Sequence, residues 1–243
     1  MKTMKESVGK QVKSKERVIN HGEVFTAERE VKAMCDLVAD ECKNIDSRFL
    51  EPAVGEGVFL AEILNRKLEV VKKKYSKSLY DYECNAILAL SSLYGIDILE
   101  DNAKICRQRL FEIWMDKYKS VCRKKTNKAT IKSAEYILEK NIVVGNALSL
   151  RCVDDNQKDT EQPIIFSDWT FVTGSLMRRR DFRLDVLLAE NKDKEDNSQQ
   201  LQLFSDKSCD YENWIIDPRT QKAYPKPMKE FSPIDYRRIS ENG

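Results

Sequence analysis

The chain has 243 residues, enough for one α/β domain with a hydrophobic core or for such a domain with an appendage. Acidic and basic residues nearly balance at a net charge of +2, which argues against a strongly electrostatic nucleic-acid binder but leaves room for a locally basic face. Seven cysteines without a Cys-x-x-Cys pair and a single histidine argue against a zinc site, and no apolar run is long enough to span a membrane. The odd cysteine count without a secretory signal predicts reduced thiols and a cytoplasmic protein.

The first elements are a basic tail and a short helix. Residues 1–20 are rich in lysine and serine and show no hydrophobic periodicity, so we expect a flexible tail. Thr26 is a suitable N-cap for the helix that follows. The apolar residues of that helix recur at helical spacing and predict one buried face: Val31, Met34, Cys35, Leu37 and Val38.

A glycine-rich turn follows, between a strand that ends near Glu51 and a helix that runs to about Tyr75. Gly55 and Gly57 allow backbone conformations that a side chain would disfavour, and they allow a ligand to approach the main chain. A strand, a Gly-x-Gly turn and a helix N-terminus together form a cradle for ligands. A lone Gly-x-Gly also occurs as an ordinary strand-to-helix turn.

The residues around these glycines resemble a motif of the N6-adenine DNA methyltransferases, including the modification subunits of restriction systems. The segment Glu51-Pro52-Ala53-Val54-Gly55-Glu56-Gly57-Val58-Phe59-Leu60 is similar to their Asp-Pro-Ala-Cys-Gly-Thr-Gly-x-Phe-Leu. In that family the motif holds the methionine part of S-adenosylmethionine. The resemblance therefore implies that Glu51, Pro52, Gly55 and Gly57 contact this cofactor.

A second segment of the chain is similar to the same family. Gly22-x-x-Phe25-Thr26 resembles the Gly-x-x-Phe/Tyr-Thr-Pro segment that precedes the glycine loop, although Ala27 replaces the usual proline. The resemblance implies that Phe25 and Thr26 close over the methionine end of the cofactor.

The next predicted strand covers 93–98 and follows a helix at 80–92. In dinucleotide- and S-adenosylmethionine-binding folds, a carboxylate at this position accepts hydrogen bonds from the ribose hydroxyls, which assigns that role to Asp97. Ile98 would then lie against the adenine. An acid at the end of a strand or at a helix N-cap is the alternative interpretation.

Two helices, over about 100–118 and 131–139, lead to a short β-branched strand at 141–144. The Gly145-Asn146-Ala147-Leu148 sequence after it resembles the Gly-Asp-Ala-Leu motif, whose acid binds the adenine amino group. Asn146 replaces that acid, and an amide oxygen accepts a hydrogen bond less strongly than a carboxylate. The alternation of strands and helices predicts a mainly parallel sheet with the ligand at its carboxyl edge.

The catalytic motif of the family, Asn/Asp-Pro-Pro-Tyr/Phe, is absent. After a candidate strand at 163–166 the chain continues Ser167-Asp168-Trp169. Asp168 could accept a hydrogen bond from the target amine and Trp169 could stack on a flipped base, which makes them the candidate catalytic residues. The alternative is a turn that begins at Asp168 and leaves Trp169 in the core.

The remaining residues, 189–243, predict a polar loop and an extended C-terminal arm. Before them, the basic run 177–183 could contact phosphates, although a solvated helix start is the commoner structure. Gln200, Leu201, Leu203 and Phe204 match the Gln-Leu-x-Leu-Phe peptide with which bacterial proteins dock on the sliding clamp. A short strand that packs on its own domain is the alternative.

Together these patterns predict a Rossmann-like class I methyltransferase fold over residues 21–188, with a short N-terminal helix and an irregular C-terminal extension. The expected function is that of an S-adenosylmethionine-binding DNA adenine methyltransferase of restriction-modification type, which methylates adenine N6 if it is active. The alternative is an inactive accessory or scaffold subunit of a DNA modification system. Such a subunit would act through protein partners, which could include the clamp.

Overall fold

The computed structural model describes residues 26–188, 214–216 and 223–241. Its α-helices are α1 (Glu28–Leu37), α2 (Ala39–Lys43), α3 (Val58–Tyr75), α4 (Leu79–Ser91), α5 (Glu100–Cys122), α6 (Lys128–Asn141) and α7 (Leu184–Leu188). Its strands are β1 (Phe49–Glu51), β2 (Leu93–Asp97), β3 (Ile142–Val144), β4 (Arg151–Val153), β5 (Asp159–Pro163), β6 (Ile165–Thr173), β7 (Leu176–Arg183), β8 (Trp214–Ile216), β9 (Ala223–Pro225), β10 (Lys229–Glu230) and β11 (Ile234–Asp235). Short 3₁₀ helices span Arg123–Lys125 and Tyr236–Glu241.

The protein is a mixed α/β structure with a three-stranded parallel sheet in the order β1-β2-β3. Glu51 pairs with Gly95, and Asp97 pairs with Val144, so the three strands end at one common edge. All residues of β2 are buried, as expected for the central strand of a parallel sheet. The predicted order of strand, helix, strand, helix, strand is therefore confirmed over 49–144.

The sheet separates two hydrophobic clusters. The larger one contains the buried faces of helices α3 to α6 and the fully buried side chains Leu64, Trp114 and Tyr118. The smaller one lies on the other side, where Tyr94 and Ile96 of β2 pack with buried residues that follow β5: Ile164, Phe166 and Leu184. Helices cover one face of the sheet, and the segments around β6 and α7 cover the other.

A long antiparallel hairpin, β6–β7, replaces the elements predicted for residues 163–183. The strand predicted to end at Phe166 continues to Thr173, so the turn proposed at Asp168 is wrong. The basic run 177–183 lies within β7 and does not begin a helix. Asp168 pairs in register with Arg180, and Trp169 pairs with Arg179.

Three further predictions concern the ends and the surface of the chain. Thr26 does not cap the first helix, because α1 begins at Glu28 and its N-cap is Ala27, which makes no side-chain cap bond. None of the helices in the described ranges has the length and apolar character required to cross a membrane. The predicted tail at 1–20, Phe25 and the clamp-like peptide at 200–204 lie outside the described residues.

Candidate functional site at the carboxyl edge of the sheet

The glycine turn joins β1 to α3 through two residues with left-handed backbones. Gly55 has φ +52° and Gly57 has φ +76°. A Cβ atom on Gly57 would lie 2.4 Å from Cys106 Sγ of α5. The close contact with α5 is therefore sufficient by itself to require glycine at this position. A Cβ atom on Gly55 would meet no atom of the described residues within 4 Å, so these residues leave the space above Gly55 open to a ligand.

Asp97 holds this turn against the end of β2. Its Oδ2 accepts a hydrogen bond from the Gly55 amide at 2.8 Å, and its Oδ1 accepts one from the Leu99 amide at 2.8 Å. The Asn102 side-chain amide also lies 3.4 Å from Oδ1. The carboxylate thus fixes the glycine turn at the end of β2.

Asn146 lies next to Asp97 along the same edge, because the Gly145 amide donates to the Asp97 carbonyl at 2.9 Å. The Asn146 side-chain oxygen accepts from the Leu148 amide at 3.0 Å, and its amide nitrogen donates to Asp159 at 2.9 Å. These two bonds fix the orientation of the side chain and leave one acceptor lone pair on its oxygen.

Glu51, at the end of β1, lines an apolar groove of about 180 Å³ between β1 and helices α1 and α3. Burial raises the pKa of the Glu51 carboxyl from 4.5 to about 7. The other acid of the turn, Glu56, pairs with Arg109 at 3.1 Å. Glu51 has neither a cation nor a hydrogen-bond donor as a partner among the described residues, so a positively charged ligand group would compensate its charge.

Two other predicted cofactor residues, Pro52 and Ile98, also lie at this edge. Pro52 is exposed at the start of the turn, and Ile98 is half-buried directly after β2. Thr26 is half-buried before α1, a helix that packs against α3. Adjacent strands lie about 4.8 Å apart, so the ends of β1 and β3 are separated by about 10 Å. The edge therefore places three polar side chains in one line: the Glu51 carboxyl, the Asp97 carboxylate that could accept from ribose hydroxyls, and the Asn146 amide.

Asp168 is not at this edge and has other partners. Its carboxylate is 3 % exposed and forms ion pairs with the guanidinium groups of Arg48 and, at 2.7 Å, Arg180. The Thr170 hydroxyl lies 3.2 Å from the same carboxylate. Arg48 directly precedes β1, which places Asp168 beside the amino edge of the parallel sheet.

Trp169 lies at the same amino edge and is 3 % exposed. Its indole N–H donates to the side-chain oxygen of Asn141 at 2.9 Å. The Asn141 amide in turn donates to the Ser91 and Leu93 carbonyls, which stand at the start of β2. The ring therefore ties the hairpin to the amino ends of β2 and β3, with the whole length of β2 between it and Asp97.

The sequence did not predict the polar groups of this amino edge. Lys67 of α3 is fully buried, and its ammonium donates to the Ile45 and Ser47 carbonyls and, at 2.6 Å, to the Ser92 hydroxyl. Burial lowers the pKa of Lys67 to about 7. A cavity of about 230 Å³ beside these groups has Trp169 on its wall and Arg48 at its rim.

Within the described ranges, no group of three or more histidine, cysteine or acidic side chains is arranged to hold a metal ion. Compared with protein-family models, with curated proteins and with solved structures, the chain finds no match.

Proposed function

We propose that the protein binds S-adenosylmethionine along the carboxyl edge of its parallel sheet and that this sheet is the core of a Rossmann-like, class I methyltransferase fold. The observation that carries the proposal is the alignment of Glu51, Asp97 and Asn146 on one edge, above a glycine turn with open space. We extend this to a DNA adenine methyltransferase-like protein of restriction-modification type, on the sequence resemblance.

Each residue of the edge has a role that its surroundings support. The half-buried Glu51 carboxylate would attract the positively charged methionine end, because no described residue of the groove neutralises it. Asp97 would accept the ribose hydroxyls while its bond to Gly55 keeps the turn in place. The orientation of Asn146 is fixed by two hydrogen bonds, and it would accept from the adenine amine. When bound, the cofactor supplies an activated methyl group on its sulfonium.

One observation favours the second candidate function, an accessory subunit without methyl-transfer activity of its own. The candidate catalytic pair Asp168 and Trp169 lies at the amino edge, and both side chains have partners there. Because β2 has five residues, about 13 Å separates its two ends. A base held by Asp168 would therefore not reach a methyl group held at the carboxyl edge. In this role the cofactor site would serve a partner subunit.

Two matched glycine substitutions test cofactor binding. Gly55 and Gly174 have the same φ of +52°, and Gly174 lies in the turn between β6 and β7. A Cβ atom would fit at either position, with only Tyr80 Oη at 3.6 Å near Gly174. Gly55→Ala and Gly174→Ala should each lower stability by about 1–2 kcal/mol through the strained backbone. Equilibrium dialysis with radiolabelled S-adenosylmethionine should detect lost binding in Gly55→Ala alone. Equal binding by both variants would contradict the proposal.

A methyl-transfer assay separates the two candidate functions. Purified protein is incubated with radiolabelled S-adenosylmethionine and duplex DNA that contains adenine in many sequence contexts. The accessory role predicts cofactor binding without label transfer to the DNA. Transfer that survives Asp168→Asn would show an active enzyme whose catalytic residues lie elsewhere in the chain.

A further inference from the structure

The ends of three helices that lie far from the carboxyl edge carry a dense set of basic side chains, here called the lysine cluster. Residues 72–77 and 119–132 contain ten basic residues and no acid. All ten side chains are exposed. The lysine cluster consists of Lys72, Lys73, Lys74, Lys77, Lys119, Arg123, Lys124, Lys125, Lys128 and Lys132.

Contacts between the helices bring these residues together. Lys117 of α5 forms an ion pair with Glu69 of α3, so the C-terminal halves of the two helices lie side by side. The Asn127 amide donates to the Tyr118 hydroxyl at 2.9 Å, which fixes the start of α6 beside α5. The basic residues at the end of α3, at the end of α5 and at the start of α6 therefore form one surface.

The lysine cluster differs from the basic run of β7 in its partners. In β7, Arg178, Arg179, Arg180 and Arg183 are each in an ion pair with an acid. Among the described residues, no member of the lysine cluster forms an ion pair. Since the whole chain has a net charge of +2, the residues outside the lysine cluster sum to −8. The positive charge is concentrated on this surface.

We propose that the lysine cluster binds the phosphate backbone of double-stranded nucleic acid. Packed helices lie 8–10 Å apart, so the three helix ends span about 20 Å, and a duplex presents about 12 charges over that length. Helix α6 adds its N-terminus, which has no acid in its first turn and favours an anion. The surface contacts the backbone and does not read the base sequence.

A basic surface of this kind could also bind an anionic membrane. Proteins that bind membrane surfaces bury apolar side chains beside their lysines. Within 72–77 and 119–132, no large hydrophobic side chain is exposed, and the nearest ones along the chain, Leu79 and Tyr80, are only 36 % and 39 % exposed. Nucleic acid is therefore the partner that this surface fits.

This inference goes beyond the proposed cofactor binding and does not depend on it. Helix α5 begins at the carboxyl edge and has 23 residues, so its end lies about 33 Å from the cofactor cradle. A duplex held there is distant from the cofactor. The arrangement suits a subunit that binds DNA at the lysine cluster and holds the cofactor at the carboxyl edge of the sheet.

The test is fluorescence anisotropy of the full chain with a labelled 20-base-pair duplex over a range of salt concentrations. The variant Lys73→Gln, Lys124→Gln, Lys125→Gln removes three charges from the lysine cluster. The control Lys43→Gln, Lys104→Gln, Lys158→Gln removes three exposed charges elsewhere, with the same change in net charge. The slope of log K against log salt should become shallower by about 3 in the variant, and affinity at low salt should fall about tenfold or more.

The control should retain the slope and the affinity of the unmodified chain. Equal loss in variant and control, or no loss in the variant, would overturn the proposal. Binding to phosphatidylserine vesicles that depends on the lysine cluster, without binding to the duplex, would also overturn it. Titration of S-adenosylmethionine into the variant tests the cofactor site separately, because that site lies at the other end of α5.

Discussion

The two edges of the parallel sheet are both polar, but they use their polar groups differently. At the amino edge, Asp168, Trp169 and Lys67 are each buried and bonded to other parts of the fold. At the carboxyl edge, Glu51 has no partner in the described part of the chain, and the space above Gly55 is open. A polar residue whose hydrogen-bonding and charge partners are all supplied by the fold stabilises the fold, whereas a polar residue that lacks such partners is a candidate for ligand binding.

The largest effect should come from Trp169→Ala at the amino edge. Removing a buried indole and its bond to Asn141 should lower the free energy of unfolding by about 3–5 kcal/mol. Urea denaturation measures this change, and Trp169→Phe is the control that keeps an aromatic ring and should lose less. Cofactor affinity below the unfolding transition should stay unchanged. A folded, stable Trp169→Ala protein with weakened cofactor binding would contradict the assignment of the amino edge to stability and of the carboxyl edge to binding.

At the carboxyl edge, Glu51 should make stability and binding depend on pH in opposite directions. Its pKa is raised from 4.5 to about 7, so the folded state keeps a proton that the unfolded state loses over that range. Stability should therefore fall by up to about 3 kcal/mol as the pH rises from 4.5 to 7, and should level off above it. Thermal unfolding across this range measures the slope.

Affinity for the cationic cofactor should rise through the same interval, because the ionised carboxylate attracts positive charge. Glu51→Gln should flatten both profiles, and it should be the more stable protein at pH 8. A profile for Glu51→Gln that matches the unmodified chain would assign the pH dependence to another group.

A smaller effect is expected from Asp168→Asn. The amide cannot neutralise Arg48 and Arg180, but both guanidinium groups are about one-third exposed, so water compensates part of the loss. We expect a loss of about 2 kcal/mol in the free energy of unfolding with unchanged cofactor affinity. Asp155→Asn, an exposed acid, is the control that should change neither quantity. If Asp168→Asn kept its stability but lost methyl transfer, that result would indicate that Asp168 is a catalytic residue.

The parallel sheet could be predicted from the sequence because each of its elements is specified by residues close together in the chain. The glycines at 55 and 57, the apolar run at 93–96 and the β-branched run at 142–144 each specify an element within a few residues. Within residues 49–144, helix and strand boundaries agree with the structure to within a few residues, with the largest difference at the C-terminal end of α5.

The hairpin β6–β7 could not be predicted in the same way, since buried positions of its strands carry charged residues and some of their partners are distant in the chain. Arg179 and Asp181 point inward and neutralise each other at 2.7 Å, so charged residues occupy positions where a strand pattern requires apolar ones. Arg48, 120 residues before Asp168 in the chain, completes the ion pairs at the amino edge. In the sequence the lysine cluster is two separate basic segments, at 72–77 and 119–132, and only the fold brings the end of α3 beside the end of α5.

The most direct test is calorimetric titration of S-adenosylmethionine into three proteins: the unmodified chain, Asp97→Asn and Asp168→Asn. We expect S-adenosylmethionine to bind the unmodified chain and Asp168→Asn with the same affinity. We expect affinity at least about tenfold weaker for Asp97→Asn, since the amide loses the charge that strengthens bonds from ribose hydroxyls. Circular dichroism establishes that each variant is folded at the temperature of the titration. No binding to the folded, unmodified chain, or equal binding by Asp97→Asn, would contradict the cofactor site.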